Sequence, residues 1–441
     1  MRNEMENGRT LTFARHIEPS EERQYLRVPL VVPEDTDRLT IRYAYQRHAE
    51  EPASGGRTLR REVSIIDLAL EDAHGMLVGA SGSDRQEVYV HENHATPGYR
   101  PQKLLPGTWH IVLGAYRVAP EGCTVQLTVT FTGKGEVLLR GDCHTHTVHS
   151  DGWYTVEQAI ARARQDRLDY LFLTDHNSMT SNALITSDEH LTVLPGVEMT
   201  YYGGHYNLFG VDRPVRSYVA NSREEVLAVF CEGLQKGALS SLNHPMDPGC
   251  PWTFGFGEDV PAHMVEIWNG PYSPYNQQAI DLWHAHLCQG RIWPAIGGSD
   301  CHHTELLRTY GTPTTFLYAR SRSGSDILAA MQRGKAYIGM HPEAPGIQLR
   351  MGEAGMGEVH VGPTGPLDLR ITGLGRQDEV LVLNQHGVVW NEKPGACLRF
   401  EAQVIAPGST FLRAEVRRTL PGDIRTLAAI SNPVYIRGQE K

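Results

Sequence analysis

Between residues 136 and 342, short apolar runs alternate with amphipathic helical stretches, and this alternation constrains the fold more than any other feature of the chain. "EVLLRGDCH", "DYLFLTDH", "LTVLPGVEM", "HYNLFGV", "ALSSLNHP", "MVEIWNG", "IWPAIGGSDCH" and "TPTTFLYA" read as strands. "TVEQAIARARQ", "SREEVLAVFCEGLQKG", "YNQQAIDLWHAHLCQG" and "SGSDILAAMQRGK" read as helices. Thr155 with Gln158, and Ser222 with Glu225, stand at capping-box spacing. Val156, Ala159, Ile160 and Ala163 share one helical face. Continuously apolar strands interleaved with helices predict an α/β fold with a mostly parallel sheet, and this many units predicts a barrel.

Outside that region the helical signal vanishes. "YLRVPLVV", "LTIRYAY", "VSIIDLAL", "QEVYVHE", "TWHIVLGAY" and "TVQLTVTFT" are β-branched and aromatic runs separated by turn residues. They predict an antiparallel N-terminal β-sandwich ending near Phe131. After Pro342 the runs "IQLRM", "LDLRITGL", "EVLVLNQ", "LRFEAQVI", "TFLRAEVRRT" and "PVYIR" predict a C-terminal β-domain or strands added to the first. The expected organisation is therefore a β-sandwich over 1–135, an α/β domain over 136–342 and a β-domain over 343–441.

With 441 residues, 40% of them hydrophobic, the chain can bury several cores. Its formal charge of -10 argues against a nucleic-acid scaffold, which needs a basic face. The start "MRNEMENGRTLTF" lacks the apolar core of a signal peptide, and no apolar run is long enough to span a bilayer. Seven cysteines without paired spacing read as free thiols, so a cytoplasmic location is expected.

The chemistry lies just past the apolar runs. "LLRGDCHTHTVHSDGW" supplies His144, His146 and Asp151. Later strand ends supply Asp175 and His176, then Glu198, then His244, and then Asp300 and His302. His205 opens "HYNLFGV", while Glu266 and Asn269 lie within "VEIWNG". In a parallel barrel such ends meet on one face. Alternation in an extended chain turns His144 and His146 the same way, as it does Asp300 and His302. The intervening Cys143 and Cys301 turn away and read as small packing residues. Imidazoles and carboxylates gathered in one place predict a multinuclear centre for zinc, manganese or iron. Isolated histidines such as His263, His284 and His360 read as ordinary core or surface residues. His149 and His303, out of phase with the pairs, are substrate contacts or bystanders.

The ordered set "HTHTVHSDG", "TDHN", "PGVEMT", "GHYNLFG", "NHP" and "GGSDCHH" resembles the PHP (polymerase and histidinol phosphatase) superfamily over residues 136 to 341. The flanking β-regions and "VEIWNG" are similar to its carbaryl-hydrolase-type branch. The resemblance implies a distorted (β/α)7-type barrel holding two or three divalent ions. It implies that His144, His146, Glu198 and Asp300 bind one ion. Glu198 would bridge to a second, completed by His205 and His244. Asp151, His176 and His302 would hold a third. Asp151 stands where some relatives use histidine, which implies a weaker or differently selective third site.

The resulting expectation is a metal-dependent hydrolase, with a phosphoester preferred to a carbamate or carboxylic ester. A non-catalytic, metal-stabilised binding protein is the alternative from another class. Glu198, His176 and His302 are the expected catalytic groups. Asp175 is expected to orient a ligand; Asn269, Arg308, Tyr201 and Tyr202 are the candidate substrate contacts, with His303 a further contact or a bystander. A small phosphorylated molecule is the expected partner, with nucleic acid restricted to short oligonucleotides. No nucleophile elbow is present, so no serine or cysteine nucleophile is expected.

Overall fold

The structure is a computed structural model and describes residues 8–53, 57–211, 213 and 215–438. The chain divides into two compact units, Met1–Gly135 and Glu136–Lys441.

In the first unit, Gly8–Ile17, Cys123–Gly133, Thr36–Ala44 and Glu87–His91 form one antiparallel sheet. Tyr25–Val32, Gly107–Arg117, Ile65–Glu71 and Leu77–Ser81 form another. Alternation does the work: Val125, Leu127, Val129 and Phe131 are buried, while their neighbours Thr124 and Gln126 are exposed. Both sheets contribute to one core around Trp109, Ile111 and Leu113. His48–Ala53 and Arg57–Glu62 add a hairpin.

In the second unit we label the strands β1 (Val137–Asp142), β2 (Tyr170–Leu173), β3 (Thr192–Tyr201), β4 (Gly204–Phe209), β5 (Leu239–Leu242), β6 (Met264–Asn269), β7 (Ala295–Gly298), β8 (Thr314–Ala319) and β9 (Ala336–Gly339). The helices are α1 (Val156–Gln165), α2 (Arg223–Gln235), α3 (Pro274–Cys288) and α4 (Gly324–Arg333). The strands follow the order β7-β6-β5-β4-β3-β2-β1-β8-β9. Every residue of β2 and β7 is buried, as expected for strands covered on both faces. The capping box of Thr155 and Gln158 forms at the start of α1.

The sheet departs from the expected parallel (β/α)7 barrel. Only β1–β2, β2–β3, β5–β6 and β6–β7 are parallel, while β3–β4, β4–β5, β1–β8 and β8–β9 are antiparallel. Two residues, Tyr202 and Gly203, separate β3 from β4, and so short a connection permits only antiparallel pairing. Among the described residues no ladder joins β7 to β8. Instead the Thr315 hydroxyl accepts from Gly297 N (2.9 Å) and donates to Gly297 O (2.7 Å). The result is a strand-rich mixed sheet with few helices.

The segment after residue 342 belongs to this same unit. Strand β9 pairs with Ile424–Ser431, and the sheet continues through Phe411–Leu420, Asp378–Asn384 and Gly387–Glu392. A further sheet contains Gly346–Met351, Leu367–Leu374 and Cys397–Val404. Among the described residues, no helix is long and apolar enough to cross a membrane.

Candidate metal centre

The chain leaves β1 and β7 in parallel. Asp300 N donates to His144 O (2.8 Å) and His146 N donates to Cys301 O (3.2 Å), so the two motifs lie side by side. Buried Asp142 ties them at the base, accepting from His144 N (3.2 Å), Ser299 N (2.9 Å) and Gly311 N (2.7 Å). His144 and His146 face the same centre, while Cys143 and Cys301 are buried in hydrophobic packing on other sides. Two residues of the centre, His244 (φ 27°) and Asp300 (φ 50°), hold left-handed backbone conformations that cost a side chain of L chirality about 1 kcal/mol or more.

All nine expected ligands come together, in overlapping groups whose donor atoms lie within 4.8 Å of one another. In the first, His144 Nε2 is 3.2 Å from Glu198 Oε1 and 3.4 Å from Asp300 Oδ1. His146 Nε2 is 3.0 Å from Asp300 Oδ1. The same Glu198 Oε1 is also 3.2 Å from both His205 Nδ1 and His244 Nε2. His176 Nδ1 is 2.8 Å from Glu198 Oε2, and His302 Nε2 is 3.2 Å from Asp151 Oδ1. Asn243 Nδ2 adds a bond to Glu198 Oε1 (2.8 Å).

The donor set fits divalent cations. Two ligand atoms each about 2.1 Å from one cation stand about 3.0–3.4 Å apart, which matches these separations. His144 Nε2 and Glu198 Oε2 are buried and have no hydrogen-bond partner, although they face one another's clusters. Buried atoms of that kind leave room for an ion or an ordered water as partner.

Electrostatics point the same way. Burial alone would raise the Glu198 carboxyl, but His144, His176 and His205 hold it well below the usual range. Burial opposes charge on His144, yet Glu198, Asp300 and Glu266 push its value well above normal. Burial likewise penalises Asp300, and His144 and His146 outweigh it, lowering its value. His146 is lowered by burial.

The remaining expected residues divide. The Asp175 carboxylate accepts from Thr147 N (2.7 Å), Thr147 Oγ1 and Ser150 Oγ (2.9 Å), pinning the loop after β1, and its backbone carbonyl accepts from Glu198 N (3.2 Å). Arg308 Nη1 donates to Asp300 O (3.0 Å), and Asn269 Nδ2 to Glu266 Oε2 (3.0 Å). Both line a cavity of about 280 Å³ that also includes His244 and Glu266. His303 stacks on Trp153 (4.2 Å) and pairs with Glu305 (2.9 Å). Tyr201 is corrected: it packs in the hydrophobic core against Tyr206, because it has the opposite parity to Glu198 along β3. Tyr202 is fully exposed, and His149 bonds Thr180. His263, His284 and His360 bond Ser240, Arg413 and Pro363 respectively, away from the centre.

Three contributors had no assigned role in the sequence reading: Asp142, Glu266 and Cys250. Glu266 Oε1 is 3.1 Å from His144 Nδ1. Its position at a strand end was a usable signal, whereas Cys250 had none.

No family model and no curated protein matches this chain. Solved structures do align with it. One is a two-domain protein from Bacteroides vulgatus containing a predicted PHP-like metal-dependent phosphoesterase (19% identity, 67% of this chain and 96% of that one, TM-score 0.38). Another, from Bifidobacterium adolescentis, is predicted to be a metal-dependent phosphoesterase (14% identity, 42% and 94%, TM-score 0.29). A third is an amidohydrolase from Chromobacterium violaceum with bound sulfate and no metal (15% identity, 38% and 89%, TM-score 0.27).

Proposed function

We propose that this protein is a metal-dependent phosphoesterase acting on a small phosphorylated molecule, with two or three divalent ions, zinc, manganese or iron, held by the nine residues above. One observation carries the reading: Glu198, fully buried, presents Oε1 to His144, His205 and His244 (3.2 Å each) and Oε2 to His146 (3.5 Å) and His176 (2.8 Å). A carboxylate shared in this way suits two neighbouring cation positions. The motif order resembling the PHP superfamily supports the same reading.

Bound cations would supply an acidified water and neutralise phosphoryl charge. The chain's own groups do the rest. His144, His176 and His205 keep Glu198 ionised against the cost of its burial. Arg308, one-third exposed beside Asp300, offers its guanidinium to an anionic group in the adjoining cavity. His302 donates Nδ1–H to the Asp300 carbonyl (3.0 Å). Its Nε2, near Asp151, then offers a lone pair to a cation in the neutral ring, and carries the proton passed to the leaving oxygen only in the doubly protonated ring. His176 stands beside it at the rim, its side chain 22% exposed.

The test is chelator-stripped protein assayed against nitrophenyl phosphates, esters and carbamates, then reloaded with zinc, manganese or iron. Phosphate ester turnover lost on stripping and restored on reloading is expected. Unchanged turnover in stringently metal-free protein overturns the proposal, and turnover of carbamates or esters alone replaces the substrate class. His146→Ala is expected to abolish activity while the protein stays folded.

A further inference from the structure

His244 is held from both ends of its ring. Nε2 lies 3.2 Å from Glu198 Oε1 on the inside, and Nδ1 lies 3.3 Å from Cys250 Sγ on the outside. The thiol returns to a histidine six positions earlier through a compact loop. Asp247 N donates to His244 O (2.9 Å), and Cys250 N to Asp247 O (3.3 Å). Gly249 N donates to Asp247 Oδ1 (2.7 Å). Just beyond, Trp252 N donates to Pro245 O (3.0 Å), and the Trp252 ring is buried in the core. Cys250, His205 and His244 also form one of the close donor groups.

Other histidines of the centre place their outer nitrogen on oxygen. His144 Nδ1 meets the Glu266 carboxylate and His302 Nδ1 the Asp300 carbonyl. His244 alone among these meets sulfur.

We infer that Cys250 is a positioning residue for the cation served by His205, His244 and Glu198, and that it acts through His244. The inference rests on reading the cluster as a cation centre. A neutral imidazole carries one proton, and a cation at Nε2 requires that proton on Nδ1. The Cys250 sulfur accepts Nδ1–H and so fixes both tautomer and ring orientation. Sulfur is a weaker acceptor than carboxylate, so this position releases its cation more readily than the one served by His144 and Glu266.

The test measures zinc stoichiometry and affinity on the full chain by chelator competition, with visible absorption of the cobalt-loaded protein as a second readout. The variants are Cys250→Ala, Cys250→Ser and Cys250→Asp, and unfolding of the zinc-free forms checks the fold. Outer partners of ligating histidines are typically worth 10- to 100-fold in metal affinity. Cys250→Ala is therefore expected to weaken one zinc by that factor. Cys250→Ser, an oxygen acceptor, should stay near wild type, and Cys250→Asp should bind more tightly than the alanine variant. Wild-type affinity in Cys250→Ala, or equal weakening in all three variants, overturns the inference and leaves the centre standing. A wild-type chain that takes up no zinc overturns the centre itself.

Discussion

Glu266 Oε1 stands 3.1 Å from His144 Nδ1, while the other oxygen of the same carboxylate accepts from His244 N (2.9 Å). One buried side chain therefore orients the ring of one histidine that faces Glu198 Oε1 and fixes the backbone of another that faces the same oxygen. Glu266→Gln keeps the shape but weakens the acceptor facing Nδ1–H. It is expected to lower metal affinity about 10- to 100-fold, read by chelator competition. An unchanged affinity would show that His144 is oriented by packing alone.

Gly298, in "GGSD", exists because there is no room beside it. A Cβ there would lie 2.4 Å from His144 Cβ and 2.8 Å from Glu266 Oε1. Gly298→Ala is expected to displace the His144–Glu266 pair and strip metal from the centre. Elemental analysis after purification checks this, and full occupancy in the variant would contradict it.

Those neighbours mark the boundary of what the sequence discloses. Period-two alternation places His144 with His146, and Asp300 with His302, because it is local. The same rule, applied to β3, puts Tyr201 on the face opposite Glu198. The partnership of Glu266 with His144 spans 122 residues and depends on which strands become neighbours. Strand direction was partly legible: the two residues between Tyr201 and Gly204 already forbid a parallel crossover. The apolar runs alone suggested a barrel because they report burial on both faces and not direction. Gly8–Ile17 was hard to read because its mixed polar sequence "GRTLTFARHI" is mostly exposed, and β9, "AYIG", has only four residues.

Gly270 bears on substrate rather than metal. Its φ is 56°, and a Cβ there would lie 2.8 Å from Arg308 Nη2. Gly270→Ala adds a left-handed backbone cost of about 1 kcal/mol and pushes the guanidinium out of its seat. The expected kinetic signature is a raised KM for a phosphate ester with zinc content unchanged. Equal KM values would remove Arg308 from substrate binding.

The last prediction concerns a buried ion network that includes none of the nine clustered residues. Glu415 accepts from Arg413 Nη1 (2.6 Å) and Arg417 Nε (2.6 Å), with Arg413 and Glu415 almost fully buried. Burial raises the Glu415 carboxyl, but the two arginines outweigh it and hold its value below normal. A carboxyl whose folded value is depressed stabilises the fold above its unfolded value, about 4.3. It loses that contribution as pH falls through the folded value. Glu415→Gln leaves Arg413 buried without its counter-charge, which costs about 3–5 kcal/mol at neutral pH. Urea unfolding of the two chains should therefore show a wide stability gap at pH 7 that narrows as the pH drops below about 4. A gap of constant width across that range would mean that Glu415 acts through shape and hydrogen bonding and not through its charge.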